Sequence, residues 1–150
     1  MVDVDIVSTR AQLEAAFQIR LQVFVEEQNV PLDEEIDEAD TAESTVHVLA
    51  TDEEGPLATA RLIGTPSDLH IGRVAVLRRG RGAGIGSALM AALEKEAVER
   101  YGPVRVSLSA QEQVTGFYAG LGYRLVDAER YLDAGIWHRD MVKDLTSRVR

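Results

Sequence analysis

The sequence predicts a mixed α/β (α+β) domain, with a central sheet of about seven strands flanked by about four helices. Three observations support this fold class. Short runs of alternating apolar and polar residues recur, two longer segments have helical periodicity, and turn sequences with Gly or Pro separate the elements. The predicted order is strand, helix, three strands, helix, strand, helix and two strands. A chain of 150 residues can bury its own core, so we expect a single domain over 1–150.

The first quarter of the chain predicts a strand and a helix. Apolar residues alternate with aspartates over Val2–Ile6, which is typical of a strand. Thr9 and Gln12 have the spacing of a capping box, which marks a helix start. We expect this helix to end near Gln28, because a proline follows soon after. The acidic segment, Pro31–Ser44, is predicted to be an irregular loop or a short helix.

The middle of the chain contains three strand-like runs, Thr45–Thr51, Leu57–Ile63 and Leu69–Val76. Turn sequences with proline separate them, so consecutive runs should pair as antiparallel hairpins. A helix over Gly84–Tyr101 and a strand over Val104–Ala110 follow. A strand, a helix and a strand in this order predict a right-handed crossover between two parallel strands.

The last part of the chain predicts a short helix and a hairpin. The helix covers Gln113–Gly120, and the two strands are Tyr123–Glu129 and Ile136–Lys143. These strands flank Asp133–Gly135, whose residue types favour a turn.

The composition excludes several classes of function. A net charge of −9 argues against a nucleic-acid partner, and the absence of cysteine excludes disulfides and thiolate metal sites. The carboxylates at 33–40 lack the spacing of a calcium loop, so we expect no metal. We find no basic leader and no apolar run of about 20 residues, which predicts a cytoplasmic protein without a membrane partner.

The charges are unevenly distributed along the chain. Leu21–Ala60 contains twelve acidic residues and no Lys or Arg, whereas Leu69–Leu93 contains four arginines and no acidic residue. Either these are solvated faces, or they face ligands of opposite charge, with an anion near the arginines and a cation near the acids.

A glycine-rich stretch lies between a predicted strand and a predicted helix, with glycines at 80, 82, 84 and 86. N–H groups at a helix start bind anions, and glycine allows close approach of a phosphate. The stretch lacks the lysine of a P-loop and the G-x-G-x-x-G of dinucleotide-binding folds. It matches R-x-x-G-x-G/A through Arg81, Gly84 and Gly86. In that pattern, amides from Arg81 to Ser87 would hold a pyrophosphate; the alternative is a glycine-rich turn without a ligand.

Two further patterns accompany this stretch. Val74-x-Val76 ends the preceding strand, and Phe117-Tyr118-x-x-x-Gly122-Tyr123 stands downstream. Together the three patterns resemble the GNAT superfamily of acyl-CoA N-acyltransferases, and the resemblance covers nearly the whole chain. The stretches VFVEEQNVP, IGRV and SAQ, which begin at Val23, Ile71 and Ser109, resemble the small ElaA-like branch of that superfamily.

The resemblance implies a site for acetyl-CoA as co-substrate. GNAT proteins splay two neighbouring parallel strands, here Leu69–Val76 and Val104–Ala110, and the pantetheine arm would pair with backbone at Val74 and Val76 in the gap. The implied binding residues are Val74, Ala75, Val76, Arg79, Arg81, Gly82, Ala83, Gly84, Ile85, Gly86, Ser87, Gln111, Phe117 and Tyr118.

Two positions depart from the family pattern. Arg78 stands where many members have proline, and Gln111 stands where many have asparagine. Arg78 or Arg79 could reach the 3′-phosphate of coenzyme A, and Gln111 keeps a polar group at its position.

Acyl transfer from a thioester to an amine needs a neutral amine, a donor for the developing oxyanion and an acid for the thiolate. An ammonium with a pKa near ~10.4 is neutral in only about one molecule in 2,500 at pH 7, so a general base is useful. The resemblance implies that the Val76 N–H stabilises the oxyanion and that Tyr118 is the acid. The alternative for Tyr118 is a packing role.

The general base has several candidates. Glu27, at the end of the first helix, is our first choice, and Glu26, His47, His138 or a water molecule are the alternatives. The acidic segment could attract a cationic amine, although a solvated loop would have the same composition.

The predicted function is an acetyl-CoA-dependent N-acetyltransferase that acts on a primary amine of a small molecule or a peptide. A coenzyme A-binding sensor or scaffold without turnover is the alternative, and a nucleotide-phosphate binder is the third hypothesis. The resemblance also implies a homodimer that pairs through the terminal strands.

Overall fold

In the computed structural model, which describes residues 1–127 and 129–146, eight strands form one sheet. Their spatial order is β1-β2-β3-β4-β5-β8-β6, and β7 also pairs with β8. The strands are β1 (Asp3–Ile6), β2 (Val46–Asp52), β3 (Gly55–Thr65), β4 (Asp68–Val76), β5 (Val104–Gln111), β6 (Arg124–Leu125), β7 (Tyr131–Asp133) and β8 (Ile136–Leu145). Neighbours are antiparallel except β4 and β5, which are parallel, so the predicted mixed fold class is confirmed.

Four α-helices accompany the sheet in the described residues: α1 (Arg10–Arg20), α2 (Leu32–Glu35), α3 (Ile85–Tyr101) and α4 (Thr115–Gly120). The predicted capping box starts α1, because Thr9 Oγ1 accepts from the Gln12 N–H and Gln12 Oε1 accepts from the Thr9 N–H. The helix continues as π-helical turns over Leu21–Glu27 and ends at Gln28, where the sequence predicts its end. The π-helical geometry was not predicted.

Helices α1 and α3 cover opposite faces of the sheet. On β2, Val48 and Ala50 belong to the core cluster under α3, whereas Leu49 packs with α1, and successive strand residues point to opposite faces. The predicted apolar stripe of α3 is buried: Ile85, Leu89, Leu93 and Ala97. Burial of one leucine of this kind stabilises the fold by about 1.5–3 kcal/mol.

Strands β4 and β5 separate after a short paired stretch. They pair only at Leu69–Val106 and His70–Ser107, although both strands continue well beyond these residues. A bulge lies in β4 just after this point, because its register against β3 shifts, and Arg73 there has a left-handed φ of 52°. A bulge bends its strand and increases the local twist, which accounts for the gap between β4 and β5.

The prediction of a strand over Tyr123–Glu129 is wrong. In the described part of this segment, Arg124–Leu125 pairs with β8 and the Val126 N–H donates to the Asp140 carbonyl, whereas residue 128 lies outside the described residues. The hairpin partner of β8 is the later strand Tyr131–Asp133. Asp127 Oδ1 accepts the N–H of Glu129, a local bond that favours a turn over an extended strand. The predicted turn residues Ala134 and Gly135 do form the hairpin turn, and both have positive φ.

The acidic segment folds into two short elements, α2 and a 3₁₀ turn over Glu38–Thr41. Among the described residues no helix is both long enough and apolar enough to cross a membrane.

Candidate functional site

A cavity of about 1190 Å³ opens where β4 and β5 part. Its wall is formed by both strands, the glycine loop (residues 80–87), the π-helical turns, α4 and the turn before β8. It brings together most of the predicted site residues: Glu27, Val74, Val76, Arg81, Gly82, Gly84, Ile85, Gly86, Ser87, Gln111, Phe117 and Tyr118. A large concave site with convergent polar groups is the usual form of a ligand site.

The glycine loop has the shape of an anion site. Gly82 and Gly84 have φ of 84° and 79°, which residues with a Cβ rarely adopt, and a Cβ on either would meet no atom within 4 Å. The first backbone bond of α3 runs from the Ala88 N–H to the Gly84 carbonyl. Within 1–127 and 129–146, the N–H groups of residues 82–87 donate no hydrogen bond to the protein. They are therefore available to an anion.

The edge of β4 that faces the gap has unused backbone groups. The Leu77 N–H donates to the Leu57 carbonyl of β3 at 2.9 Å. Because bonding directions alternate along an antiparallel pair, the polar backbone groups of Val74 and Val76 point away from β3, toward β5. Arg81 Nε donates to the Val76 carbonyl at 2.8 Å. The Val76 N–H is then the group of this residue that stays open at the edge.

Phe117 and Tyr118 connect α4 to the glycine loop. A Cβ on Gly86 would lie 3.1 Å from Phe117 Cζ, so this aromatic ring packs directly on the loop. The rings of Phe117 and Tyr118 meet edge to face with centroids 4.9 Å apart, and Tyr118 meets Tyr123 in the same way. Burial raises the pKa of Tyr118 to about 12, so its hydroxyl keeps its proton at neutral pH.

Glu27 lies in the cavity wall but is bonded to two arginines. Arg81 Nη2 donates to Glu27 Oε1 and Oε2 at 2.9 and 3.0 Å, and Arg78 Nη2 lies 3.4 Å from Oε2. Desolvation raises the pKa of Glu27, but these hydrogen bonds and charges outweigh it, so the pKa lies below its ordinary value.

Three predicted binding residues lie outside the cavity wall: Ala75, Arg79 and Ala83. Ala75 is buried beneath α1. Arg79 points to the β2–β3 turn, where it bonds Asp52 and two backbone carbonyls. The structure therefore does not bring the Arg79 guanidinium to the cavity.

The candidate bases separate into two groups. Glu27 and His138 line the cavity, whereas Glu26 and His47 do not. His47 is buried, its Nε2 lies 3.0 Å from the Asp40 carbonyl, and burial lowers its pKa. These contacts give His47 a structural role.

The acidic segment is not a solvated loop, because arginines from elsewhere neutralise much of it. Glu35 and Asp40 are both 2% exposed. Arg20 donates to Glu35 at 2.8 Å and to Asp40 at 2.6 Å, and Arg61 donates to Asp37 at 2.7 Å and to Asp40 at 2.8 Å. These ion pairs, buried except at Asp37, form what we call the arginine–carboxylate network.

The uneven charge distribution is explained in part by pairing within the chain. The arginines of Leu69–Leu93 pair with acids of Leu21–Ala60: Arg73 with Glu35 and Asp37, Arg78 and Arg81 with Glu27, and Arg79 with Asp52 and Glu54. The basic stretch Leu69–Leu93 and the acidic stretch Leu21–Ala60 are therefore complementary in charge.

Several residues of the cavity wall were not predicted, among them Gln28, Arg61, Arg73 and Ser109. Gln28 Oε1 accepts from Gln111 Nε2 at 2.8 Å. Arg61 had a signal in the sequence, since a charged residue stood alone in an apolar strand run, and charges are rarely buried without a partner. In the part of the chain that the structure describes, no group of three or more His, Cys, Asp or Glu side chains could hold a metal ion.

Comparison with known proteins agrees with this geometry. Residues 9–145 match the family model for the acetyltransferase (GNAT) domain. The chain belongs to the GNAT acetyltransferase family. This GNAT protein is 40% identical to the uncharacterized N-acetyltransferase YjcF of Bacillus subtilis, over 93% of this chain and 97% of YjcF. It is 33% identical to the protein ElaA of Escherichia coli, over 90% of this chain and 89% of ElaA.

Solved structures show the same relationship. A crystal structure of an acyl-CoA N-acyltransferase from Pseudomonas aeruginosa superposes with a TM-score of 0.85 at 32% identity, over 95% of this chain and 99% of that chain. The crystal structure of Escherichia coli ElaA gives the same TM-score at 29% identity, over the same shares of the two chains. This GNAT protein is therefore an acetyltransferase, and the predicted resemblance to the ElaA-like branch is confirmed.

Proposed function

We propose that this GNAT acetyltransferase moves an acetyl group from acetyl-CoA to a primary amine of a small molecule or a peptide. One observation carries the proposal: a glycine loop with unpaired amides and a gap between two parallel strands open into the same cavity.

The residues present fit coenzyme A. The N–H groups of residues 82–87 would hold its diphosphate, and the open backbone groups of Val74 would pair with a pantetheine amide, which would leave the Val76 N–H beside the thioester. Arg78, whose side chain is 80% exposed, would be freer than Arg79 to reach the 3′-phosphate. When bound, acetyl-CoA supplies the thioester.

Two groups of the chain would serve the chemistry. The Val76 N–H lies at the open edge of β4, where it would donate to a carbonyl oxygen that gains negative charge. Tyr118 holds its proton because its pKa is about 12, and it would give that proton to the departing thiolate. The general base is not assigned by these observations; Glu27, the first choice from the sequence, would first have to open its ion pairs with Arg81 and Arg78.

A Tyr118→Phe variant tests this proposal. The substitution removes the acid and keeps the ring that packs on Phe117 and Tyr123, so we expect kcat to fall by about 10²–10⁴-fold while the Kd for coenzyme A stays close to that of the wild type. Release of the coenzyme A thiol measures turnover across polyamines, aminoglycosides, amino acids and peptide N-termini, and calorimetry measures the Kd.

Tyr101→Phe is the matched control, because Tyr101 lies at the end of α3 and outside the cavity wall. It should keep the wild-type kcat. An unchanged kcat in Tyr118→Phe would exclude Tyr118 as the acid. A wild-type protein that does not bind acetyl-CoA at millimolar concentration would refute the proposal, and one that binds it without acetylating any amine would favour the sensor hypothesis.

A further inference from the structure

We propose that His138, rather than Glu27, takes the proton from the acceptor ammonium. This inference rests on the proposed function and names a further catalytic residue for it. Four kinds of observation lead to it: strand register, the tautomer of the imidazole, the contacts that fix the ring, and the state of the competing candidates.

The strand register places His138 beside the gap. His138 on β8 lies directly opposite Gln111 at the end of β5 and directly opposite Tyr131 on β7. Residues that lie directly opposite each other project from the same face of a sheet. Because Gln111 and His138 both line the cavity, this row of side chains extends from the open end of β5 along the cavity wall.

The hydrogen bonding of His138 selects one tautomer. Nδ1 lies 2.7 Å from the Ile136 carbonyl, and a carbonyl only accepts, so Nδ1 carries the proton. In the neutral ring Nε2 then has a free lone pair. It makes no hydrogen bond within the described residues and is not among their fully buried, unpartnered nitrogens, which are His47 Nδ1, Arg61 Nε and Arg139 Nε. Nε2 is therefore accessible and able to accept a proton.

Neighbouring side chains hold the imidazole in place. His138 is only 9% exposed, and its ring stacks on that of Tyr131 with an interplanar angle of 22°. The Tyr131 hydroxyl donates to Asp140 Oδ1 and also contacts the Ser109 hydroxyl. Both ring position and tautomer are thus set before an acceptor binds, which is the arrangement that favours general-base catalysis.

Two competing groups that line the cavity, Glu27 and His70, are less available. Glu27 would have to break its bonds to Arg81 and Arg78 before it could accept a proton. His70 also lines the cavity, but its Nε2 is bonded to Asp68, and it lies where β4 and β5 are still paired.

The proton balance of the reaction is complete with these groups. The acceptor ammonium gives one proton to His138 Nε2, directly or through a water molecule. The neutral amine forms the new C–N bond with its lone pair while the C–S bond of the thioester breaks, and the sulfur takes a proton from Tyr118. The amide nitrogen sheds its second proton, which restores Tyr118 through solvent, and the imidazolium releases its proton to solvent.

A His138→Asn variant tests the inference through turnover. Asn can still donate to the Ile136 carbonyl but has no group at the position of Nε2, so the fold should be retained and kcat should fall by about 10²-fold or more. The amine acetylated fastest by the wild type serves as acceptor, and added imidazole should restore part of the rate. Glu26→Gln is the control, because Glu26 is a candidate base that lies outside the cavity wall, so it should keep kcat within a few-fold and gain nothing from imidazole.

A second measurement is independent of turnover. Imidazole ¹⁵N chemical shifts of the free protein should show His138 as the Nδ1–H tautomer when neutral, and an Nε2–H tautomer would overturn the inference. If the wild type acetylates amines and His138→Asn keeps its kcat, or if only Glu27→Gln loses it, His138 is not the base and the proposed function stands. If the wild type acetylates no amine, the proposed function fails and this inference fails with it.

Discussion

At the level of single residues, the glycine loop has the backbone conformation that its composition favours. Only glycine adopts positive φ without strain, so closely spaced glycines before a helix predict both a tight backbone path and open space in front of it. The structure has positive φ at Gly82 and Gly84 and open space at both. By contrast, the positive φ of Arg73 had no sequence signal, because it depends on a bulge in β4.

A Gly84→Ala variant tests the conformational requirement. No atom blocks a Cβ at Gly84, so the cost arises from its φ of 79°, and we expect the free energy of unfolding to fall by about 1–2 kcal/mol. Relaxation of the loop should also weaken binding of coenzyme A. Urea unfolding and calorimetry measure the two effects.

Gly120→Ala is the control for this substitution. Gly120 lies in α4, has open space around it and does not have a positive φ. Alanine there should leave the protein equally stable or more stable by about 0.4–1 kcal/mol. Equal effects of the two variants would show that the left-handed conformation at Gly84 is not required.

The pairing of Glu27 shows where residue-level prediction ends. Its position at a helix end was predicted, but its bonds to Arg81 join residues that are far apart in sequence. Such pairing depends on how the β4–α3 loop meets the π-helical turns, and no local pattern encodes that contact.

Among the elements, the acidic segment forms a short helix and a 3₁₀ turn, in line with the predicted irregular loop or short helix, but the burial of Glu35 and Asp40 was not predicted. Its composition is typical of a solvated loop, yet Arg20 from α1 and Arg61 from β3 draw its carboxylates into the interior. Removing one partner of a buried ion pair leaves an uncompensated charge, which costs far more than losing an exposed pair. The network therefore fixes this segment beside the cavity.

An Asp40→Asn variant should lower the free energy of unfolding by about 3–5 kcal/mol, because Asp40 is bonded to both Arg20 and Arg61 and is buried. Urea unfolding at neutral pH measures the loss. Asp144→Asn is the control: Asp144 pairs with Arg105 at the surface, and we expect no measurable change. A similar result for the two variants would mean that the network does not stabilise the fold.

The same variant should alter the dependence of stability on pH. Burial raises the pKa of Asp40, but bonds from Arg20 and the Asp37 backbone outweigh it and hold the pKa well below its ordinary value. A lowered folded-state pKa stabilises the protein above the unfolded-state pKa, and this contribution is lost as pH falls through the folded-state pKa. The stability difference between wild type and Asp40→Asn should therefore be constant above about pH 5 and shrink below about pH 4.

Glu35 does not disturb this comparison. Burial raises its pKa above the ordinary value, so its effect has the opposite sign: its contribution is present at low pH and is lost as pH rises through the folded-state pKa. Glu35 is present in both proteins and cancels to first order. If the stability difference between the wild type and Asp40→Asn stays constant down to pH 3, the pKa of Asp40 is not lowered in the folded state.

Elements with strong periodicity were predicted within a residue or two, as α3 and strands β2 to β5 show. The segment after Tyr123 was not, because its strand-like pattern is interrupted by the local bond of Asp127. The cavity as a whole was predicted only through the family resemblance, since the gap between β4 and β5 depends on long-range register.

At the scale of the whole molecule, ligand binding should raise stability. Coenzyme A at 100 times its Kd would stabilise the folded state by about 2.7 kcal/mol, which corresponds to a rise of roughly 5–10 °C in Tm for a protein of this size. Differential scanning fluorimetry measures it, with ATP at the same concentration as control. Equal shifts with ATP, together with displacement of coenzyme A, would favour the nucleotide-phosphate hypothesis.

The single domain over 1–150, the homodimer and the cytoplasmic location stay predictions.

The short pairing between β4 and β5 has a mechanical consequence. The halves β1–β4 and β5–β8 are each held by long antiparallel ladders, but within the sheet they meet only over two residue pairs. The two halves are otherwise joined by the core cluster under α3, which contains residues of both, such as Val48 and Met141. An extended molecule bound in the opening would act as a surrogate strand and would join the two half-sheets into one continuous, stiffer layer.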